Sequence, residues 1–272
     1  MTVPTSNDPR ELLDLAVEGC RAAAEVMLEI ARRGRFGVGT KSTADDLVTD
    51  ADRASERAIL EVLEAARPND GVVSEEGAAR ESATGLTWIM DPLDGTTNFV
   101  YGRPRWAVSI ACHDGGGELV ACTIDVRSGE TFTAVRGGGA FLDAEPIRVN
   151  DVEGLDHALI GMGFSPDREL RRLQGAMVGG VVARVRDIRR PGSPCLDLAD
   201  VACGRLDGFF EVLPGPWDWA AGSLLVREAG GTFTVDEGPL GRPQVVAAGP
   251  RLAPLLQRLL AEAISQISAD GG

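Results

Sequence analysis

Apolar residues near the start of the chain recur at the spacing of an amphipathic helix. The repeat comprises Leu13, Val17, Cys20, Ala24, Met27 and Ala31. Asp8 and Pro9 precede it as an N-cap and a first-turn proline, so the pattern predicts a helix from there to a stop before Gly34. A second helix is predicted over residues 52–66, where the following Pro68 ends it.

The hydrophobic pattern then shortens to runs of four to eight residues, which are typical of strands. These runs are residues 71–74, 86–90, 106–112, 118–125 and 130–135. A polar, glycine-rich stretch over residues 113–117 separates two of them and predicts a hairpin. The first half of the chain is therefore expected to form helices packed on an antiparallel sheet.

From about Leu155 the pattern alternates between strand and helix. Strands are predicted at 158–162, 181–188, 208–212, 231–235 and 245–248, and helices at 168–178, 195–203, 220–229 and 252–267. The sequence thus predicts a layered α/β protein. We expect an N-terminal part, residues 1–153, and a C-terminal α/β half, residues 154–272, within one compact unit.

Composition narrows the classes of function. The chain has 272 residues, with 41 acidic and 27 basic side chains and a net charge of −14, and Lys41 is its single lysine. This acidic balance argues against a nucleic-acid surface. The N-terminus lacks a secretory signal, and no apolar run reaches about 18 residues. The five cysteines are widely spaced. These features favour a cytoplasmic protein without a membrane span or a disulfide framework.

Several catalytic chemistries are excluded by the residues available. The chain has no P-loop, no dinucleotide-binding glycine fingerprint, no nucleophile elbow, and no cysteine followed at six positions by an arginine. Its two histidines, His113 and His157, cannot form a histidine-rich metal site. Any catalysis must therefore come from carboxylates, hydroxyls and the backbone.

The most informative segment is W-I-M-D-P-L-D-G-T-T-N-F at residues 88–99. An apolar strand runs directly into Asp91 and Asp94, and Gly95 lets the chain approach a ligand closely. Thr96 and the residues after it suit the start of a helix, whose N–H groups would face a phosphate. A plain Asx turn between strand and helix is the alternative explanation of this spacing.

Further carboxylates lie beside structure-breaking residues. Residues 41–52 contain four aspartates, more than helix capping requires, and Glu75 follows an apolar strand. Glu211 also follows a strand, and Asp218 lies between two tryptophans, where N-capping is the alternative explanation. Clustered oxygen ligands without histidine or cysteine favour magnesium.

Together these segments resemble the inositol monophosphatase family of Mg²⁺-dependent, lithium-sensitive phosphatases. The resemblance rests on residues 88–99 and on W-D-W-A-A-G at 217–222, supported by residues 41–52, 74–77 and 192–211 in the family's order. It implies an αβαβα five-layered sandwich of the sugar-phosphatase type, usually a homodimer. It also implies a cytoplasmic enzyme with two to three Mg²⁺ ions per active site.

The resemblance implies a metal-binding set and a catalytic set. Magnesium would be held by Glu75, Asp91, the Leu93 carbonyl, Asp94 and Asp218, with Asp91 bridging two ions and a weaker third ion near Glu75. Asp52 would hydrogen-bond Thr96, which with Glu75 would orient the attacking water, while Asp46 would lie further out. The catalytic residues implied are Glu75, Thr96, Asp52, Asp91 and Asp94.

The implied substrate contacts are Asp94, Gly95, Thr96, Gly192, Ser193, Glu211 and Asp218. Pro194 departs from the small residue common in the family and removes a backbone N–H from this loop. The expected reaction is hydrolysis of inositol 1-phosphate or a similar polyol phosphate by direct attack of water. Alternatives are a histidinol phosphatase, a fructose-1,6-bisphosphatase, a 3′-phosphoadenosine 5′-phosphate phosphatase, or a regulatory interaction protein on the same scaffold.

Overall fold

The helices that the sequence predicts form in the computed structural model, which describes residues 7–34, 37–40, 47–212 and 215–270. Asp46, with the first half of the acidic segment predicted over residues 41–52, lies outside the described residues. The helices are α1 Pro9–Arg33, α2 Asp50–Ala66, α3 Thr96–Val100, α4 Arg168–Val182, α5 Pro194–Ala202, α6 Ala220–Glu228 and α7 Ala253–Asp270. Short 3₁₀ turns occupy Leu155–His157, Pro216–Asp218 and Pro239–Gly241.

The strands form a two-stranded hairpin and two larger sheets. The hairpin pairs β1 Val38–Thr40 with β2 Leu47–Thr49. The first large sheet comprises β3 Gly71–Ser74, β4 Ala79–Arg80, β5 Thr87–Asp94, β6 Ala107–Asp114, β7 Gly117–Asp125, β8 Thr131–Val135, β9 Gly139–Leu142 and β10 Glu145–Pro146. Its order is β10-β9-β8-β7-β6-β5-β3-β4, and every pair is antiparallel except β3 with β5.

The second large sheet comprises β11 Leu159–Met162, β12 Asp187–Arg189, β13 Gly208–Val212, β14 Thr232–Glu237 and β15 Pro243–Ala248. Its order is β12-β11-β13-β15-β14. The strands β12, β11 and β13 are parallel, whereas β15 runs antiparallel to both of its neighbours. The described part of the chain contains no helix with the length and hydropathy needed to cross a bilayer.

Three apolar clusters hold the layers together. One packs α1 and α2 on the outer face of the first sheet around Trp88. The second fills the space between the sheets, where Phe132 and Phe209 pack against α5 and α6. The third packs α4 and α7 on the far face of the second sheet around Leu256. The order of layers is therefore αβαβα, and the predicted fold class is confirmed, whereas the division at residue 153 and the homodimer stay predictions.

One predicted strand is wrong and another is longer than expected. Residues 181–186 do not form a strand, because α4 continues to Val182 and β12 covers only Asp187–Arg189. The helix predicted to end at residue 178 continues through two glycines, and the second, Gly180, packs closely on α7, since a Cβ on it would lie 3.1 Å from the Ala263 side chain. The predicted strand 86–90 extends as β5 through Asp94.

Candidate active site

A break in strand register brings Asp91 and Asp94 together at the end of β5. Side chains three residues apart point to opposite faces of a regular strand. Here Asp91 pairs with Ser109 but Asp94 pairs with Ala107, so β5 contains one extra residue relative to β6. Such a bulge redirects a side chain, and oxygens of both carboxylates lie within 4.8 Å of each other and of the Cys195 sulfur.

The N-terminus of α5 fixes the orientation of Asp94. The Ser193 hydroxyl donates to Asp94 Oδ2 at 2.5 Å, and the Cys195 backbone N–H donates to the same oxygen at 2.8 Å. Both hydrogen bonds fall on Oδ2, so Oδ1 is the oxygen that a cation can use. Pro194 is the first residue of α5, where a missing N–H costs little. Proline at this position is therefore compatible with the start of the helix.

Asp52 links a helix cap to the hydroxyl of Thr96. Its Oδ2 accepts hydrogen bonds from the Thr49 N–H at 2.7 Å and the Thr49 hydroxyl at 2.5 Å, as the third residue of a capping box on α2. Its Oδ1 lies 3.1 Å from Thr96 Oγ1, which is also 3.2 Å from the Leu93 carbonyl. The hydrogen bond expected between Asp52 and Thr96 is therefore present.

A cavity that is partly open to solvent collects most of the predicted site residues. It is lined by Glu75, Asp94, Gly95, Thr96, Gly192, Glu211 and Asp218, together with Pro194. Ser193 is fully buried with its hydroxyl on Asp94, so the structure places it behind the cavity wall. Asp91 and Leu93 are likewise buried beneath the wall.

Glu211 presents a buried carboxylate at the side of the cavity formed by the second sheet. It is 7% exposed, and its Oε2 has no hydrogen-bond partner among the described residues. A Cβ on Gly163 would overlap this carboxylate, so the glycine leaves the space that the carboxylate occupies. A buried carboxylate oxygen without a donor is costly, which makes Glu211 a natural acceptor for a substrate hydroxyl.

The electrostatics of the cluster fit a bound cation. Burial, and then the negative charges of Glu75, Asp94 and Asp218, raise the pKa of Asp91 well above its usual value. Burial also raises the pKa of Asp94 to about 6, although the bonds from Ser193 and Cys195 oppose the shift. Carboxylates that repel one another in this way are stabilised by a divalent ion, and an oxygen-rich donor set suits magnesium.

Sequence reasoning missed several residues of the cavity. Asp197, Phe164, Pro166 and Arg190 line it, and among the described lining residues Arg190 carries the only positive charge. Asp197 could have been found, because it lies one helical turn into the α5 segment that follows Gly192. Cys195, which the sequence did not single out, lies within 4.8 Å of two predicted metal ligands.

A layered αβαβα fold with carboxylates grouped at the end of the first sheet defines a sugar-phosphatase type of architecture. The model of the inositol monophosphatase family matches residues 8–269, and the chain belongs to this family. Membership supports phosphatase chemistry at the carboxylate cluster.

Individual relatives carry two kinds of name. The chain is 40% identical over 247 residues to the Nus factor SuhB of Pasteurella multocida, covering 89% of this chain and 92% of that protein. It is 38% identical over 277 residues to the inositol-1-monophosphatase of Mycobacterium leprae, covering 94% and 95%. The crystal structure of the extragenic suppressor protein suhB from Bartonella henselae superimposes with a TM-score of 0.86 at 35% identity, covering 92% of this chain and 98% of that one.

Proposed function

We propose that this protein is a Mg²⁺-dependent phosphomonoesterase that hydrolyses inositol 1-phosphate or a similar polyol phosphate. The observation that carries the proposal is the convergence of Glu75, Asp94, Asp218 and Glu211 on one cavity, from four separate elements of the chain. Glu75 follows β3 and Asp94 ends β5, both in the first sheet. Glu211 belongs to β13, and Asp218 to the 3₁₀ turn that follows it.

The residues present suit two to three magnesium ions, with Glu75, Asp91, the Leu93 carbonyl, Asp94 and Asp218 as ligands. Bound magnesium supplies Lewis-acid chemistry, since it neutralises phosphate oxygens and activates water as a nucleophile. The protein contributes fixed carboxylates in a largely buried site, where electrostatic interactions are strong. Cys195 is a neutral thiol here, because burial and the nearby Asp94 and Asp91 raise its pKa.

Thr96 is positioned to orient the attacking water. A hydroxyl has a single proton to donate, and Asp52 accepts it in the arrangement that leaves the Leu93 carbonyl open to a cation. A lone pair of Thr96 Oγ1 is then available to accept from a water in the cavity that Thr96 and Glu75 both line. Asp52 Oδ2 is held by Thr49, so the acceptor of this proton cannot rotate freely.

The leaving group would lie on the opposite side of the cavity, near Glu211 and Asp218. Two carboxylates at this end favour a neutral polyol, whose hydroxyls can donate to them, over a second phosphate group. The same argument places histidinol phosphate, with its cationic amine, ahead of fructose 1,6-bisphosphate and 3′-phosphoadenosine 5′-phosphate among the alternatives.

The proposal is tested by assaying phosphate release from a panel of these esters with Mg²⁺, with and without lithium. Inositol 1-phosphate should be hydrolysed, and Asp94→Asn should abolish turnover while the circular dichroism spectrum is unchanged. A variant of an exposed ion pair remote from the cavity, Arg136→Ala, is the matched control and should retain full activity. Turnover that survives in Asp94→Asn would contradict the metal assignment.

A role as a Nus factor is the second candidate, and the names of the relatives from Pasteurella multocida and Pseudomonas aeruginosa favour it. Such a role would depend on the surface of the protein rather than on the carboxylate cluster. Genetic complementation by the Asp94→Asn variant separates the two functions. Complementation by the inactive variant supports the interaction role, whereas failure alongside a functional wild type ties the phenotype to catalysis.

A further inference from the structure

Arg105 connects α3, which follows the predicted metal ligands at the end of β5, to the helix that orients one of those ligands. It lies between α3 and β6 with a φ of 73°, a left-handed conformation that is uncommon for arginine. In this conformation the backbone of Arg105 contacts Asn98, while its side chain contacts α5. Its carbonyl accepts a hydrogen bond from Asn98 Nδ2 at 2.7 Å, and the same amide nitrogen is 2.9 Å from the Pro191 carbonyl.

The side chain of Arg105 binds two consecutive turns of α5. Its Nη2 lies 3.1 Å from Asp197 Oδ1 and 2.7 Å from Asp200 Oδ2. The two aspartates are three residues apart and therefore lie on one face of the helix. Asp197 is 1% exposed and Asp200 is largely buried, so neither can exchange the guanidinium for bulk water at low cost.

The same helix begins with the two groups that hold Asp94. Ser193 caps α5 and donates its hydroxyl to Asp94, and the Cys195 N–H belongs to the first turn. A displacement of α5 would therefore remove both hydrogen bonds from Asp94 Oδ2 at once. Arg105 resists that displacement, because it binds α5 through its guanidinium and Asn98 of α3 through its backbone carbonyl.

We propose that Arg105 is a positioning residue, which sets the affinity of the cluster for divalent metal by holding α5 against Asp94. The proposal rests on the proposed metal-dependent function. Groups that orient a metal ligand typically change metal affinity by about 10- to 100-fold when they are removed. We expect Arg105→Ala to weaken metal affinity by this factor at the metal site to which Asp94 contributes.

The test measures binding of Mn²⁺ to the full, metal-depleted chain, using the electron paramagnetic resonance signal of the unbound ion. Arg205→Ala is the matched control, since Arg205 also lies near Asp200, at 3.7 Å, but pairs mainly with Glu130 on the surface. Arg105→Ala should weaken Mn²⁺ binding by about 10- to 100-fold, Arg105→Lys should recover part of the loss, and Arg205→Ala should bind as the wild type does.

A double-mutant cycle distinguishes positioning from general support of the fold. If Arg105 acts through Asp94, the effects of Arg105→Ala and Ser193→Ala on Mn²⁺ affinity will not add, because both remove the same restraint. Additive effects, or wild-type Mn²⁺ affinity in Arg105→Ala with only a lower melting temperature, would overturn the proposal. Should Arg105→Ala fail to fold, the same comparison with Arg105→Lys decides. A wild-type chain that binds no Mn²⁺ would overturn the proposed function itself.

Discussion

The substitution Gly163→Ala tests the role of Glu211 without changing any polar group. A methyl at this position would overlap the Glu211 carboxylate, which is the movable end of a flexible side chain. The carboxylate must therefore shift, while the backbone can stay in place. The loss of one hydrogen bond that a substrate hydroxyl donates to the Glu211 carboxylate is worth about 1.5–3 kcal/mol, so kcat/KM for inositol 1-phosphate should fall roughly 10- to 100-fold.

The assay compares steady-state kinetics, thermal unfolding and Mg²⁺ activation of Gly163→Ala with those of Gly179→Ala. A methyl on Gly179 of α4 would meet no atom within 4 Å, so that variant should be stabilised by up to about 1 kcal/mol with unchanged kinetics. Gly163→Ala should keep its Mg²⁺ activation, since the methyl meets Glu211 and no predicted metal ligand. Wild-type kcat/KM in Gly163→Ala would refute the assignment of Glu211 to substrate.

Three further results are expected. Asp91→Asn should raise the melting temperature in EDTA, because it removes a buried, repelled charge, and should abolish stabilisation by Mg²⁺; a lower melting temperature in EDTA would contradict this. The folded-state pKa of Asp94, about 6, is raised above its ordinary value of 3.8. Its stabilising contribution is therefore present below pH 3.8 and lost as the pH rises through 6, so urea unfolding of the metal-free protein should show about 1 kcal/mol less stability at pH 7 than at pH 5. That difference should shrink in Asp94→Asn. Thr96→Val should lower kcat by about 100-fold or more, with a much smaller change in KM, while Thr96→Ser keeps most activity; equal losses in kcat and KM would count against water orientation.

The parts of the site that depend on local sequence could be predicted. Asp91, Asp94 and Thr96 lie within one short motif, where an apolar strand, a proline and a glycine mark the turn. The bulge that brings the two aspartates together could not be predicted, because it depends on the register of β5 against β6. The predicted strand therefore stopped at residue 90, although pairing with β6 continues to Asp94.

Contacts between segments that are distant in the chain could not be predicted from the sequence. The partners of Asp94 lie 99 and 101 residues further along the chain, and no local pattern specifies them. The role of Gly163 could not be predicted either. A side chain at this position is unfavourable only because the fold brings Glu211 of β13 beside it. The predicted helix ended before Gly179 and Gly180, yet α4 continues through both, because the packing of Gly180 against α7 outweighs the low helix propensity of glycine.

The helix layer shared by the two sheets has a consequence for how the protein is synthesised. Phe132 and Ala121, on the inner face of the first sheet, are covered by Leu198 and Leu225 of the layer that follows much later in the chain. A ribosome thus releases all of β3–β10 before the cover for that face exists. Until residue 225 has emerged, the nascent chain exposes an apolar sheet surface, which a chaperone must shield or which stays open to aggregation.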